Sequence, residues 1–204
     1  MSYEFLTDLE SILNDFKGAI KFAPHYVFWQ NEALGRGGYQ TDDERCVSGG
    51  RYCDPESKEG KKRIFVLKKI SPSIENRLFG KEAVLEALRQ VCLREASSPI
   101  TPSSEWWRYV DNYAKYCVDT DYTGSEKCYE RAYSLSYIGA NTIDQVNKCM
   151  RDSFGAASNE NLGTLDADNS KLRDEFALQD EMHVDHYPAL YVNKERYTVR
   201  KIFY

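Results

Sequence analysis

The tightest constraint on this chain lies near its end, in Tyr187-Pro188-Ala189-Leu190-Tyr191-Val192-Asn193-Lys194-Glu195-Arg196-Tyr197. A polar stretch of helical character runs into an X-Pro pair, then a β-prone run, a short turn and a second run. Proline pushes the residue before it towards extended backbone. It is also the residue that makes a cis peptide bond cheap. The segment therefore predicts a helix, a cis Tyr187–Pro188 bond and a hairpin whose first strand starts at Ala189, beside an earlier strand. That earlier strand reads as Ile20 to Trp29, with Pro24 implying an edge or a bulge near its start.

With 204 residues, 42% of them hydrophobic, the chain is long enough for one large domain spanning residues 1–204. A net charge of −5 and the lack of a basic stripe argue against nucleic acid as a partner. No apolar run approaches the roughly 20 residues of a membrane helix. The acidic, amphipathic N-terminus does not read as a signal peptide. The chain is thus either cytosolic or an excised piece of a longer secretory protein.

The six cysteines favour the second option. Cys46, Cys53, Cys92, Cys117, Cys128 and Cys149 are even in number and spread through the middle, as a disulfide framework would be. Zinc wants pairs two to four residues apart, and these are wider; six free buried thiols are the other alternative.

Phe5, Leu9, Ile12, Leu13 and Phe16 give an opening amphipathic helix, ended by Gly18. After the first strand, Gly35 to Gly60 reads as loop, and Ile64 to Leu67 as a short extra strand. Four helical segments follow. Val84, Ala87, Leu88, Val91 and Cys92 form the inner face of the first; Trp106, Val110, Tyr113, Ala114 and Cys117 that of the second. Thr123-Gly124-Ser125-Glu126 is a capping box opening the third, with Cys128, Ala132 and Leu135 aligned. Thr142-Ile143-Asp144-Gln145 is a box opening the fourth, with Val146 and Cys149 inward. A helix over about Ser170 to Met182 leads to Pro188. The order helix, strand, helical block, helix, strand, strand matches a thioredoxin-like α/β fold with a helical insertion, about residues 80–152, between its halves. Such folds place Cys-x-x-Cys after the first strand. Here Trp29 is followed by Gln30-Asn31-Glu32-Ala33. The scaffold is kept without the redox pair, which points to a binding domain rather than an enzyme.

If the third and fourth helices form an antiparallel hairpin, Cys128 and Cys149 meet at its open end and bond, for about 3 kcal/mol. Cys46 and Cys53 flank Gly49-Gly50 and close a small loop; Cys92 and Cys117 then pair by elimination. His183 and His186 lack a nearby third ligand, so solvated histidines at a helix end are the better reading than a metal pair. Asp166, Asp168 and Asn169 resemble the start of a calcium loop but lack its glycine and closing glutamate, which leaves helix capping. No metal and no cofactor is expected. Of Trp106-Trp107, one ring reads as core and the other as a partly exposed contact.

Several stretches together resemble the lumenal central region of the plant-type vacuolar sorting receptors. They are Ile20 to Trp29, Gly50-Arg51-Tyr52-Cys53-Asp54-Pro55, Leu88-Arg89-Gln90-Val91-Cys92, Glu105-Trp106-Trp107-Arg108-Tyr109-Val110 and Pro188-Ala189-Leu190-Tyr191-Val192-Asn193. Cys117, Cys128 and Cys149 follow in family order. The family's additional cysteines, one after the first strand and one before the position of Cys46, are replaced by Gln30-Asn31 and by Thr41 to Glu44. The resemblance thus implies a divergent, non-plant member with three bridges. It implies a redox-inactive, lumenal domain on the Golgi-to-vacuole or lysosome route, with protein or peptide cargo as partner. Neighbouring receptor domains, and any membrane contact, would belong to parts outside this chain. Thioredoxin folds offer an extended edge beside the cis proline, so the candidate groove is Trp29, Gln30, Asn31, His186, Tyr187 and Pro188. A structural subunit of a larger assembly, and an oxidoreductase using Cys46 and Cys53, are the competing readings.

Overall fold

The computed structural model describes residues 3–15, 21–28, 46–53, 81–97, 103–117, 126–155, 167–184 and 189–197. Its centre is α2, Lys81–Ser97, in which an unbroken run from Glu86 to Leu93 is buried. A helix buried all round needs neighbours on every side. Helices α3 (Ser104–Cys117), α5 (Ala140–Ser153) and α6 (Ser170–Glu181) provide three of them, and the small hairpin β1 (Cys46–Val47) and β2 (Tyr52–Cys53) a fourth. Helix α4, Glu126–Leu135, packs on α3, as does α1, Tyr3–Asp15. A second hairpin, β3 (Leu190–Val192) and β4 (Glu195–Tyr197), pairs Tyr191 with Arg196. Its turn residues Asn193 and Lys194 both have positive φ, 51° and 69°, the type I′ geometry that fits strand twist.

The core is aromatic. Trp106, Tyr109 and Tyr113 are fully buried along α3, and Trp106 meets Trp107 edge-on with ring centroids 4.8 Å apart. Phe22 stacks on Trp107 at 5.5 Å and leaves it only 9% exposed. The exposed tryptophan expected from the sequence is therefore covered, by a segment far away in the chain.

A buried polar network runs through these helices. Glu86 accepts from Arg89 Nε (3.1 Å), Gln90 Nε2 (2.8 Å) and the Tyr109 hydroxyl (3.2 Å). Gln90 in turn accepts from the Tyr26 hydroxyl at 2.8 Å, and its carbonyl from Trp106 Nε1 at 3.0 Å. The Arg89 guanidinium lies 3.6 Å above the Tyr129 ring. Burial pushes the Glu86 carboxyl above its usual range against the pull of Arg89, Gln90 and Tyr109. Burial also raises the Tyr133 phenol, to about 12.

The disulfides are Cys46–Cys53, Cys92–Cys149 and Cys117–Cys128. The expected pairs Cys128–Cys149 and Cys92–Cys117 do not form. Helices α4 and α5 follow each other in the chain but pack on different partners. The start of α4 meets the end of α3, which brings Cys128 to Cys117; α5 lies on α2, which brings Cys149 to Cys92.

Other expectations shift as well. Residues 46–53 form a disulfide-closed hairpin, not loop. Helix α5 starts at Ala140 behind Gly139, two residues before the Thr142 box, and has no side-chain cap. Leu135 and Ile12 are 39% and 54% exposed rather than inward. The Ile64 to Leu67 strand and Thr123–Ser125 of the first capping box lie outside the described residues.

Candidate binding face

The face begins with α6. Asn169 caps it, its side chain accepting from the Leu172 amide at 3.0 Å and donating to Ser153 Oγ at 2.8 Å. Asp168 accepts from the Tyr52 hydroxyl (2.6 Å) and from Arg173 (2.8 Å), which ties the first hairpin to the helix start. Burial, then the bond to Asp168, raises the Tyr52 phenol above its ordinary range. Asp168 and Asn169 thus serve the helix start and its neighbours, while Asp166 lies outside the described residues.

Residues 21–28 cross this helix as an extended strap. Phe22, Pro24, Tyr26 and Phe28 turn inward or partly inward, while Lys21, Ala23 and His25 are exposed, the alternation of a strand. Yet the strap pairs with no described strand. The Tyr26 amide donates to Glu175 Oε2 at 2.8 Å and the Phe28 amide to Gln179 Oε1 at 2.9 Å. The spacing explains the match. Four helical residues rise about 6 Å and two extended residues about 6.6 Å, so an i, i+4 pair can satisfy an i, i+2 pair of amides. Glu175, only 6% exposed, also meets His25 Nδ1 at 3.2 Å and Arg94 at 3.6 Å. Arg94 donates to the Pro24 carbonyl as well.

Sequence reading missed Glu175 and Gln179. Their signal was present: Leu172, Glu175, Phe176 and Gln179 form an i, i+3, i+4, i+7 stripe with two polar members. Polar groups in a buried stripe need partners, and the strap's amides are those partners.

At the C-terminal end of α6, Phe176, Gln179, Asp180, His183 and Val184 line an open depression of about 290 Å³. The Tyr191 hydroxyl donates to the Met182 carbonyl at 3.0 Å, which fixes the second hairpin to the same helix end. Trp29, Gln30, Asn31, His186, Tyr187 and Pro188, and the peptide bond expected to be cis, lie outside the described residues. Their chain neighbours Phe28 and Val184 both meet Gln179, one through its side chain and one through its carbonyl. His183 is exposed, at φ 50°. Among the described residues no cluster of three or more His, Cys, Asp or Glu is placed to hold a metal, and no helix is long and apolar enough to cross a membrane.

All six cysteines are disulfide-bonded and none is free. Cys46 and Cys53 are 7% and 0% exposed.

Comparison with known proteins gives one consistent family. The chain is 27% identical to vacuolar-sorting receptor 1 of Pisum sativum, over 93% of this chain and 28% of that protein. It is 27% identical to vacuolar-sorting receptor 5 of Arabidopsis thaliana, over 88% of this chain and 25% of that protein. Against vacuolar-sorting receptor 2 of Arabidopsis thaliana the identity is 25%, over 70% and 20%. The chain therefore spans about a quarter of the length of these relatives. The model of the vacuolar sorting receptor thioredoxin-like domain matches residues 1–201. The fold class is accordingly α/β and thioredoxin-like, with disulfide-bonded helices, and the chain belongs to the family of vacuolar sorting receptor thioredoxin-like domains.

Proposed function

We propose that this chain is a redox-inactive, lumenal receptor domain that helps to bind or present protein cargo on the route to a vacuole or lysosome. Residues 1–204 act as one domain, with the helical insertion over about 80–152. The observation that carries the reading is that the family's scaffold is matched while Trp29 is followed by Gln30-Asn31-Glu32-Ala33 and not by Cys-x-x-Cys. A thiol-disulfide catalyst needs an accessible, activated thiolate. The pair closest in sequence, Cys46–Cys53, is buried in its hairpin, which argues against an oxidoreductase. The cargo surface is the groove of Trp29, Gln30, Asn31, His186, Tyr187 and Pro188. Its support is the convergence of Phe28 and Val184 on Gln179 beside the depression.

Two measurements test this. Insulin reduction by the oxidised and pre-reduced protein should stay at background; turnover lost on Cys46→Ala would overturn redox inactivity. In a heteronuclear shift titration with vacuolar propeptides, Phe28, Gln179, Val184 and the groove residues should move. Shifts confined to α2–α5 would place the cargo surface elsewhere.

A further inference from the structure

The last turns of α4, α5 and α6 end in the same way, on one residue of left-handed backbone: Tyr137 (φ 57°), Gly155 (φ 78°) and His183 (φ 50°). In α4 the Ile138 amide bonds the Tyr133 carbonyl and the Tyr137 amide that of Ser134; in α6 Val184 bonds Gln179 and His183 bonds Asp180. This is the Schellman closure, which favours glycine. Histidine is one of the side chains enriched there, whereas a bulky aromatic is strained.

The ring of Tyr137 gains nothing inside the domain, since the residue is 84% exposed. The turn beneath it is held firmly. Arg108 Nε donates to the Ser136 carbonyl at 3.1 Å and Asn112 Nδ2 to Ser136 Oγ at 3.0 Å. Leu135 beside it is 39% exposed. A strained, fixed, solvent-facing aromatic has the form of a contact anchor.

A complement exists on the same molecule. The depression at the end of α6, about 290 Å³, lies at the small end of ligand pockets (about 300–1,000 Å³) and suits a single side chain. Phe176 and Val184 are its apolar lining residues, and Asp180 lines it as well. Among the described residues the Asp180 carboxylate has no cationic partner, and Arg108, beside the knob, has no carboxylate partner. We propose that Tyr137 of one copy docks into the Phe176–Val184 depression of a second copy, with Arg108 facing Asp180. Knob and socket are different residues, so the contact either closes as a reciprocal two-fold pair or runs head-to-tail into rings or chains. The inference rests on these two surfaces and not on cargo binding.

The test is sedimentation of the oxidised chain without cargo, up to about 1 mM, because a contact built on one anchor is weak, with Kd about 0.1–1 mM. Tyr137→Gly should raise Tm by about 1–4 °C, which shows the fold intact, and weaken association about tenfold or more. The socket variant Asp180→Lys/Val184→Lys should weaken it similarly. Mixing the two variants should restore one-to-one pairs and nothing larger, since each keeps one half of the contact. A wild type that stays monomeric at about 1 mM, a Tyr137→Gly variant that associates like wild type, or a mixture that remains monomeric would each overturn the proposal.

Discussion

The helical block and the strap solve one problem, long-range attachment, by different chemistry. In the block, two disulfides fasten α2 to α5 and α3 to α4, and a buried network around Glu86 fills the space between. The strap reaches α2 and α6 with side-chain hydrogen bonds and α3 with one aromatic stack. A covalent link acts largely on the unfolded chain, by removing its loop entropy. A hydrogen bond acts on the folded state, and its loss strands a buried donor. The block is therefore secured in both states, and the strap only in one.

The largest expected effect comes from the longest covalent loop. Cys92 and Cys149 are 57 residues apart, so replacing both with alanine should cost about 4 kcal/mol. Cys117 and Cys128, 11 apart, should cost about 3 kcal/mol, and Cys46 and Cys53, 7 apart, about 2 kcal/mol. Urea denaturation of the three double variants would show this order; equal losses would mean that local packing, not loop length, sets the value of each bridge.

Next comes the strap. Glu175→Ala strands the Tyr26 amide and removes the carboxylate beside Arg94, which should cost about 2–3 kcal/mol. Gln179→Ala strands only the Phe28 amide, for about 1 kcal/mol. Glu175→Gln keeps an acceptor and should recover part of the loss. Hydrogen exchange should speed up at Tyr26 and Phe28 while the interior of α2 stays protected. Equal acceleration in α2 would show that strap and block unfold as one unit.

The smallest effect is a pH slope inside the block. The folded Glu86 carboxyl titrates above its unfolded value, so the folded state binds more protons in that interval. Its stabilising contribution is full below the unfolded pKa and is lost as pH rises through the folded one. Glu86→Gln removes this slope. The stability of wild type relative to Glu86→Gln should thus be lower at about pH 7.5 than at about pH 5. A difference independent of pH would show that Arg89, Gln90 and Tyr109 compensate the buried charge fully.

Much of this was legible in the residues. Local patterns placed α2, α3 and α6 near their observed bounds, because burial on one face leaves a helical period in the sequence. The turn of the second hairpin was legible too, since Asn193-Lys194 sits between two β-prone runs. The first strand was half legible. Ile20 to Trp29 reads as a strand in the sequence, with Pro24 marking an edge or bulge, but such a run does not report what accepts the amides. Here a helix accepts two of them.

Sequence by itself determined the helical block, the absent Cys-x-x-Cys and the family motifs, because each is written in neighbouring residues. Tertiary structure alone decided that Cys92 bonds Cys149, that Phe22 covers Trp107 and that Glu175 holds the strap. These contacts join residues tens to more than a hundred positions apart. Their free energy depends on which helices pack together, and nothing local to Cys128 distinguishes the adjacent helix α3 from the adjacent helix α5 as its neighbour.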